Sequence, residues 1–323
     1  MRYFIRVSET RHGIKVIDFH VHFPTANGYG RRGRSQRLVV KYGEERVGIF
    51  IDQSRKYRDE WRKRWGFAPP EPRDRSDEEQ AERWAADIDS KGVDGVNFVT
   101  GGGNDNLAKV VAMNPDRFTG FAHHDLFEEG AGEEVERAVK ELGLKGYKVI
   151  ASRQTTPIDD EAGYPVWEAC ERLGVPVVIH FGVLGGGGGP TYDLRNMNPL
   201  SLWEPAKMFP RLNFVVPHFG SGYIRELLQL CWSCPNVLID TSGSNQWMRW
   251  LPYELDLEKL FKKATETVGP DRLVFATDSS YFPRGFSEIY LVKQLEACRA
   301  IGLDEESIEK IFFGNAARLL KLG

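Results

Sequence analysis

Short apolar stretches dense in β-branched residues alternate along the chain with longer stretches whose apolar positions recur every three or four residues. Unbroken apolar runs read as buried strands and the 3.6-residue period as helices, so the repeat is that of β-α units on a parallel sheet. Eight runs qualify: Ile14–His20, Val93–Val99, Phe118–Ala122, Leu144–Ile150, Val175–His180, Leu212–His218, Asn236–Thr241 and Arg272–Asp278. Those reading VPVVI, LNFVV and RLVFA are apolar throughout, as strands covered on both faces are. Glu133–Leu142, Tyr164–Leu173, Ile224–Cys231, Leu257–Val268 and Ser287–Ile301 carry the helical period, and most stop near a Gly or Pro. Eight strands each followed by a helix predict an α/β fold, a (β/α)8 TIM barrel formed by 1–323 as one domain, with an open doubly wound sheet as the alternative.

Two segments break the repeat. The stretch 23–83 after strand 1 is far longer than a βα loop and is expected to be an insertion with helices of its own. Within it SRKYRDEWRKRW spaces Tyr57, Trp61 and Trp65 by four, an aromatic stripe suited to the barrel mouth or to a second subunit on an otherwise solvated helix. The run Gly185–Gly189 lacks the Lys-Ser/Thr pair of a phosphate loop and reads as a hinged loop over the site or a plain flexible connection.

Composition narrows the function. A chain of 323 residues with 41% hydrophobic positions buries a large core, and a formal net charge of −3 gives no general reason to bind nucleic acid. No apolar run is long enough to span a bilayer, and MRYFIRVSETRHG is charged where a signal peptide is apolar, so a soluble, cytoplasmic protein with a small-molecule substrate is expected. The cysteines Cys170, Cys231, Cys234 and Cys298 do not form a disulfide framework; Cys231 and Cys234 make a C-x-x-C late in a helix, where a redox pair does not belong, and all four read as reduced thiols.

Chemistry-bearing residues collect where strands end. In VIDFHVHFP, His20 and His22 stand two apart on a strand and share a face. Strand 5 ends PVVIHFG at His180, strand 6 NFVVPHFG at His218 and strand 8 RLVFATDSS at Asp278. A barrel gathers its chemistry at this rim, and three imidazoles with a carboxylate suit a divalent ion in an open site. His123 and His124 follow strand 3 in GFAHHDL, where one of them can reach the mouth or both can simply be hydrogen-bonded; His12 precedes strand 1 and carries no expected role.

The ordered set HVH, IHFG, VPHFG, FATDSS and GNAARLL resembles the amidohydrolase superfamily, and more closely its amidohydrolase-2 branch of metal-dependent TIM-barrel hydrolases and non-oxidative decarboxylases, from about Val16 to Leu322. The resemblance implies His20, His22, His180 and Asp278 as ligands of one divalent metal ion, zinc first, with manganese, iron and cobalt as alternatives. It implies His218 as the residue that contacts substrate or metal-bound water, and Asp278 as both ligand and proton acceptor. Lys148, in LKGYKVIAS, matches the position where binuclear members carry a carboxylated lysine; because the closer branch usually holds one metal, an unmodified Lys148 that orients substrate is expected. A homodimer or higher homo-oligomer is expected by analogy with related barrels.

Arg195, Arg284, Arg225, Tyr192, Trp247, Tyr281 and Phe282 lie in loops beyond the functional face. Arginine suits a carboxylate and aromatics suit a planar ring, which makes Lys148, Arg195, Tyr281 and Arg284 candidate substrate residues. The expected activity is hydrolysis of a small carboxylate-bearing ester, lactone or amide. PHFGSGYIREL after strand 6 departs from the decarboxylase pattern, so decarboxylation of an aromatic or unsaturated acid stands second. A metal-binding barrel without turnover stands third.

Overall fold

The expected strands form, and they pair in parallel in chain order. In the computed structural model, which describes residues 11–25, 38–72, 74–154, 156–183 and 193–322, they are β1 (Ile17–His22), β2 (Gly95–Thr100), β3 (Phe118–Gly120), β4 (Tyr147–Ile150), β5 (Val177–His180), β6 (Phe214–Val216), β7 (Val237–Asp240) and β8 (Leu273–Val274). Strands β1 to β3 make one ladder and β4 to β8 another. Parallel bridges at Ala122↔Tyr147 and Val21↔Ser279 join the two ladders. At these seams Ala122 N–H donates to Gly146 O at 2.8 Å and His22 N–H to Ser279 O at 2.7 Å. The sheet therefore closes on itself, and the barrel, not the open sheet, is the architecture.

The helices are α1 (Glu44–Trp65), α2 (Asp77–Ser90), α3 (Asn104–Met113), α4 (Ala131–Lys140), α5 (Tyr164–Leu173), α6 (Trp203–Met208), α7 (Ile224–Ser233), α8 (Leu257–Val268), α9 (Glu288–Ala300), α10 (Glu305–Glu309) and α11 (Asn315–Leu320). The bounds expected for α5 and α8 are reproduced, because each has a clear stop or start: α5 ends at Gly174 in the left-handed conformation, and Asp256 caps α8 by accepting from Lys259 N–H. Strand 8 is shorter than its expected span. Past Val274 the Phe275 N–H turns to Ile311 O (2.9 Å) and Thr277 turns to Asp18, so the groups that would extend the ladder are taken by the C-terminal segment and by a side chain. Strand 1 runs further than expected and carries both His20 and His22.

Two apolar clusters hold the fold. One lies between strands and helices and includes Trp84, Phe98, Tyr147, Trp167, Phe214 and Phe261. The other fills the barrel with Phe19, Phe121, Val178, Val215, Leu238, Val274 and Ala276, joined by Ala316, Leu319 and Leu320 of α11. Asn315 donates to Pro270 O and Leu273 O, both at 2.8 Å, and so places α11 at the strands' starts, opposite the histidines.

The segment after β1 holds α1, and α2, the first barrel helix, already begins inside it at Asp77 with a capping box between Ser76 and Glu79. Of the aromatic stripe, Tyr57 is exposed, whereas Trp61 and Trp65 face the barrel. The Trp65 ring packs edge-on against Tyr290 of α9 at 5.2 Å and stacks near Phe67 at 6.3 Å. Gly185–Gly189 and Tyr192 lie outside the described residues. All four cysteines are buried free thiols, and no described helix is long and apolar enough to cross a membrane.

Candidate metal centre

Strands β1 and β8 bring the first two histidines and Asp278 together. One ligand-type atom from each of His20, His22 and Asp278 lies within 4.8 Å of the others. His22 Nε2 is 3.1 Å and His20 Nε2 3.9 Å from Asp278 Oδ1. His218 packs 5.3 Å from the His20 ring, and His180 stands one ring further, 4.9 Å from His218.

Neighbouring groups fix which nitrogen of each ring is free. His20 Nδ1 is 2.6 Å from Asp240 Oδ2, and a carboxylate accepts, so Nδ1 carries the hydrogen and Nε2 keeps its lone pair. His218 Nδ1 donates to Ser242 O at 3.2 Å and lies 2.8 Å from Ser242 Oγ, which frees its Nε2 in the same way. His22 Nδ1 is held 2.6 Å from Thr100 Oγ1 at the end of β2. His180 Nε2 is buried without a hydrogen-bond partner among the described residues, an arrangement that costs free energy unless something meets the lone pair.

The electrostatics agree with a cation site. Burial holds the imidazoles of His20, His180 and His218 neutral by lowering their pKa, with the Lys148 charge adding to the effect at each. Burial alone would raise the Asp278 carboxyl, but the hydrogen bond with His22 and the electrostatic pull of its surroundings outweigh it and keep it well below the usual carboxylate range. Lys148 Nζ lies 3.3 Å from His20 Nε2, and burial brings its ammonium down to about 7. Neutral imidazoles and an ionised carboxylate are the protonation states a divalent ion needs, and with the unmatched Nε2 of His180 they make a donor set that fits one.

The backbone at this rim is strained where it carries chemistry. His218 (φ 59°), Phe219 (φ 48°), Ser221 (φ 49°) and Asp278 (φ 58°) adopt the left-handed conformation without being glycine, each at a cost of about 1–3 kcal/mol. Two glycines allow the close packing of this rim. A Cβ on Gly182, at φ +73°, would stand 2.5 Å from Ser221 Cβ, and one on Gly243 would stand 3.1 Å from His218 Nδ1.

Several supporting residues escape a sequence reading. Asp240 ends the apolar run VLID, the same cue that marks His180 and Asp278. Asp18 is fully buried between β1 and β8, accepts from His20 N–H (3.1 Å), Thr277 N–H (3.0 Å) and the Thr277 hydroxyl, and is pushed up to about 8 by burial. Its carboxyl thus pins the backbone of one candidate ligand to the residue before another. Thr100 and Ser242 carry no sequence signal, since threonine and serine at strand ends are common.

Other expected site residues are placed differently. Arg195 is 80% exposed and forks onto Asp193, the carboxylate two residues earlier. Arg225 is likewise exposed and paired with Glu226. Trp247 is buried and donates to Asn245 Oδ1 at 3.1 Å, and Phe282 packs against Trp84 at 5.5 Å. Tyr281 is half-buried with an unpartnered hydroxyl among the described residues, and Arg284 Nη2 donates to Asp278 O at 2.9 Å. His123 Nε2 accepts from Gly101 N–H (3.2 Å) and Gly103 N–H (3.0 Å), while His124 Nε2 lies 2.9 Å from Ala131 O. Both are held by hydrogen bonds, His123 to the loop after β2 and His124 to the start of α4, and burial brings the His123 imidazole down to about 4.

The amidohydrolase family model matches residues 17–322, nearly the whole chain. The chain belongs to the amidohydrolase family. A γ-resorcylate decarboxylase of Polaromonas sp. is 33% identical to this family member over 68% of the chain and 75% of its own length. A 2-amino-3-carboxymuconate-6-semialdehyde decarboxylase of Dictyostelium discoideum is 37% identical over a shorter stretch, 24% of this chain and 22% of that protein. Among solved structures, the 5-carboxyvanillate decarboxylase of Novosphingobium aromaticivorans, complexed with manganese and 4-hydroxy-3-methoxy-5-nitrobenzoic acid, superposes with a TM-score of 0.65 at 20% identity over all of both chains, which shows the shared barrel. These relatives are named decarboxylases, so they favour the second of the expected activities over hydrolysis.

Proposed function

We propose that this family member is a metal-dependent, non-oxidative carboxy-lyase acting on a small hydroxylated aromatic or unsaturated acid. The convergence of His20, His22 and Asp278 within 4.8 Å, with the His20 imidazole neutral and the Asp278 carboxylate ionised, is the observation that carries it. The names of the relatives support loss of CO2 over hydrolysis, and the manganese of the Novosphingobium enzyme supports manganese beside zinc as the resident ion.

His20, His22 and Asp278 would hold the ion, and His180, whose ring packs 4.9 Å from His218, would add the fourth donor if it turns toward them. Bound there, a divalent ion withdraws electron density from the oxygens of the acid. Breaking the bond between ring carbon and carboxylate leaves an electron pair on the carbon, and one proton has to arrive there as CO2 departs. Asp278 takes that proton from the acid or from solvent and delivers it to the carbon, returning to its ionised state. His218, its Nδ1–H fixed on Ser242 O, offers Nε2 as an acceptor for the substrate's hydroxyl. Buried Lys148 and the unpartnered Tyr281 hydroxyl supply donors for the substrate's oxygens.

Metal analysis of the purified protein, with CO2 release measured on hydroxylated aromatic and unsaturated acids and hydrolysis on esters, lactones and amides, tests the reading. One ion per chain and CO2 release are expected, with Asp278→Asn retaining the fold by circular dichroism but losing turnover. Ester, lactone or amide hydrolysis without CO2 release identifies a hydrolase instead, and bound metal with no turnover on any class identifies a binding barrel.

A further inference from the structure

The insertion helix reaches the loops that carry the site. Helix α1 buries only Val47 and Ser54, yet near its end Trp61 Nε1 donates to Ser244 Oγ at 3.0 Å. The same indole faces the guanidinium of Arg284, 5.6 Å from the ring centre. Ser244 follows β7, whose last residue Asp240 fixes the ring of His20, in the loop whose Ser242 fixes that of His218. Arg284 follows β8, and its Nη2 reaches both Asp278 O (2.9 Å) and Ser280 Oγ (3.3 Å).

Arg284 is enclosed as well as bonded. Phe67, just beyond α1, lies 5.3 Å from the guanidinium and Tyr281 4.9 Å, and Glu71 N–H donates to Phe282 O at 2.9 Å, tying the return of the insertion to the same loop. A planar guanidinium stacked among rings loses little freedom when it bonds, so the donor it offers Asp278 is fixed in direction. The peptide it holds is the one with a left-handed φ of 58°; its N–H side is fixed on β1 by the 2.9 Å bond from Asp278 N–H to His20 O, and Arg284 fixes its carbonyl side.

We propose that Trp61 and Arg284 are positioning residues of the metal centre: the indole joins the β7 loop to Arg284, and Arg284 holds the Asp278 peptide in its strained conformation. The insertion is then part of the ligand-orienting structure, and Arg284 acts on the metal ligand and not on the substrate's carboxylate. This inference rests on the reading of His20, His22 and Asp278 as ligands.

The test is the affinity of the full-length chain for manganese and zinc, measured by competition with a chromophoric chelator, beside the melting curve of the metal-free protein. Arg284→Met and Trp61→Leu are each expected to weaken metal binding about ten-fold while the metal-free melting curve stays close to wild type. The double variant should be no weaker than the worse single one, because both act through one contact. Arg284→Lys, which keeps a cation but loses the planar stack, and Trp61→Phe, which keeps a ring but loses the N–H, should fall between and keep the test decisive if a harsher variant misfolds. Wild-type loading with unchanged affinity in the variants overturns this inference alone, as does an Arg284→Met variant whose sole defect is a raised KM. A wild-type chain that takes up no stoichiometric ion overturns the metal reading itself, and this inference with it.

Discussion

Helices α5 and α1 lie on the same barrel but are held by different means. In its ten residues α5 buries Val166, Trp167, Ala169 and Cys170 and has Pro165 in its first turn. In its twenty-two residues α1 buries Val47 and Ser54, lacks a side-chain cap and leaves Ile49, Phe50 and Tyr57 exposed. The barrel helix is specified by its own periodicity and by a close-packed groove. The insertion helix is seated by a few long-range contacts from Trp61 and Trp65.

That contrast can be broken by substitution. Trp167 is fully buried against Tyr147 (6.2 Å) and Phe214 (5.8 Å), so Trp167→Ala should cost about 3–5 kcal/mol of unfolding free energy in urea. A loss under about 1 kcal/mol would mean that the α5 groove contributes little to the barrel. Trp65 is only half-buried and shares its contacts with Phe67, Tyr290 and the Lys293 ammonium at 4.8 Å. Trp65→Ala should cost about 1 kcal/mol while making α1 the first site of cleavage in limited proteolysis; equal costs at Trp65 and Trp167 would erase the distinction. Arg195→Ala should change neither turnover nor stability by more than about 0.5 kcal/mol, as its partner Asp193 is a local surface group. A rise in KM for an acidic substrate would return Arg195 to the site.

The same division governs what could be read from the chain. Every barrel strand announces itself as an apolar run, and His180, His218 and Asp278 interrupt such runs at their ends, which is why the candidate centre was legible before any coordinates. Asp240 gives the same signal in VLID, but as a lone carboxylate at a strand end it does not stand out beside the histidines. Strand 8 could not be bounded, since Phe275 and Thr277 leave the ladder for partners far away in the chain, Ile311 and Asp18. Arg195 and Arg284 look equivalent as loop arginines; Asp193 disarms one, and the aromatic enclosure that holds the other assembles from residues over two hundred positions apart, Trp61 and Tyr281. The reaction is not legible in the chain for a related reason: hydrolysis and decarboxylation ask for nearly the same ligands, and the relatives, not the residues after His218, favour the second.

The left-handed residues at the rim set hardening against heat in opposition to keeping the activity. At His218 and Asp278 the backbone would rest more easily as glycine. Directed evolution scored on thermal survival alone should therefore drift toward glycine or asparagine at these two positions, enriching sturdier barrels that have shed the groups proposed to do the chemistry.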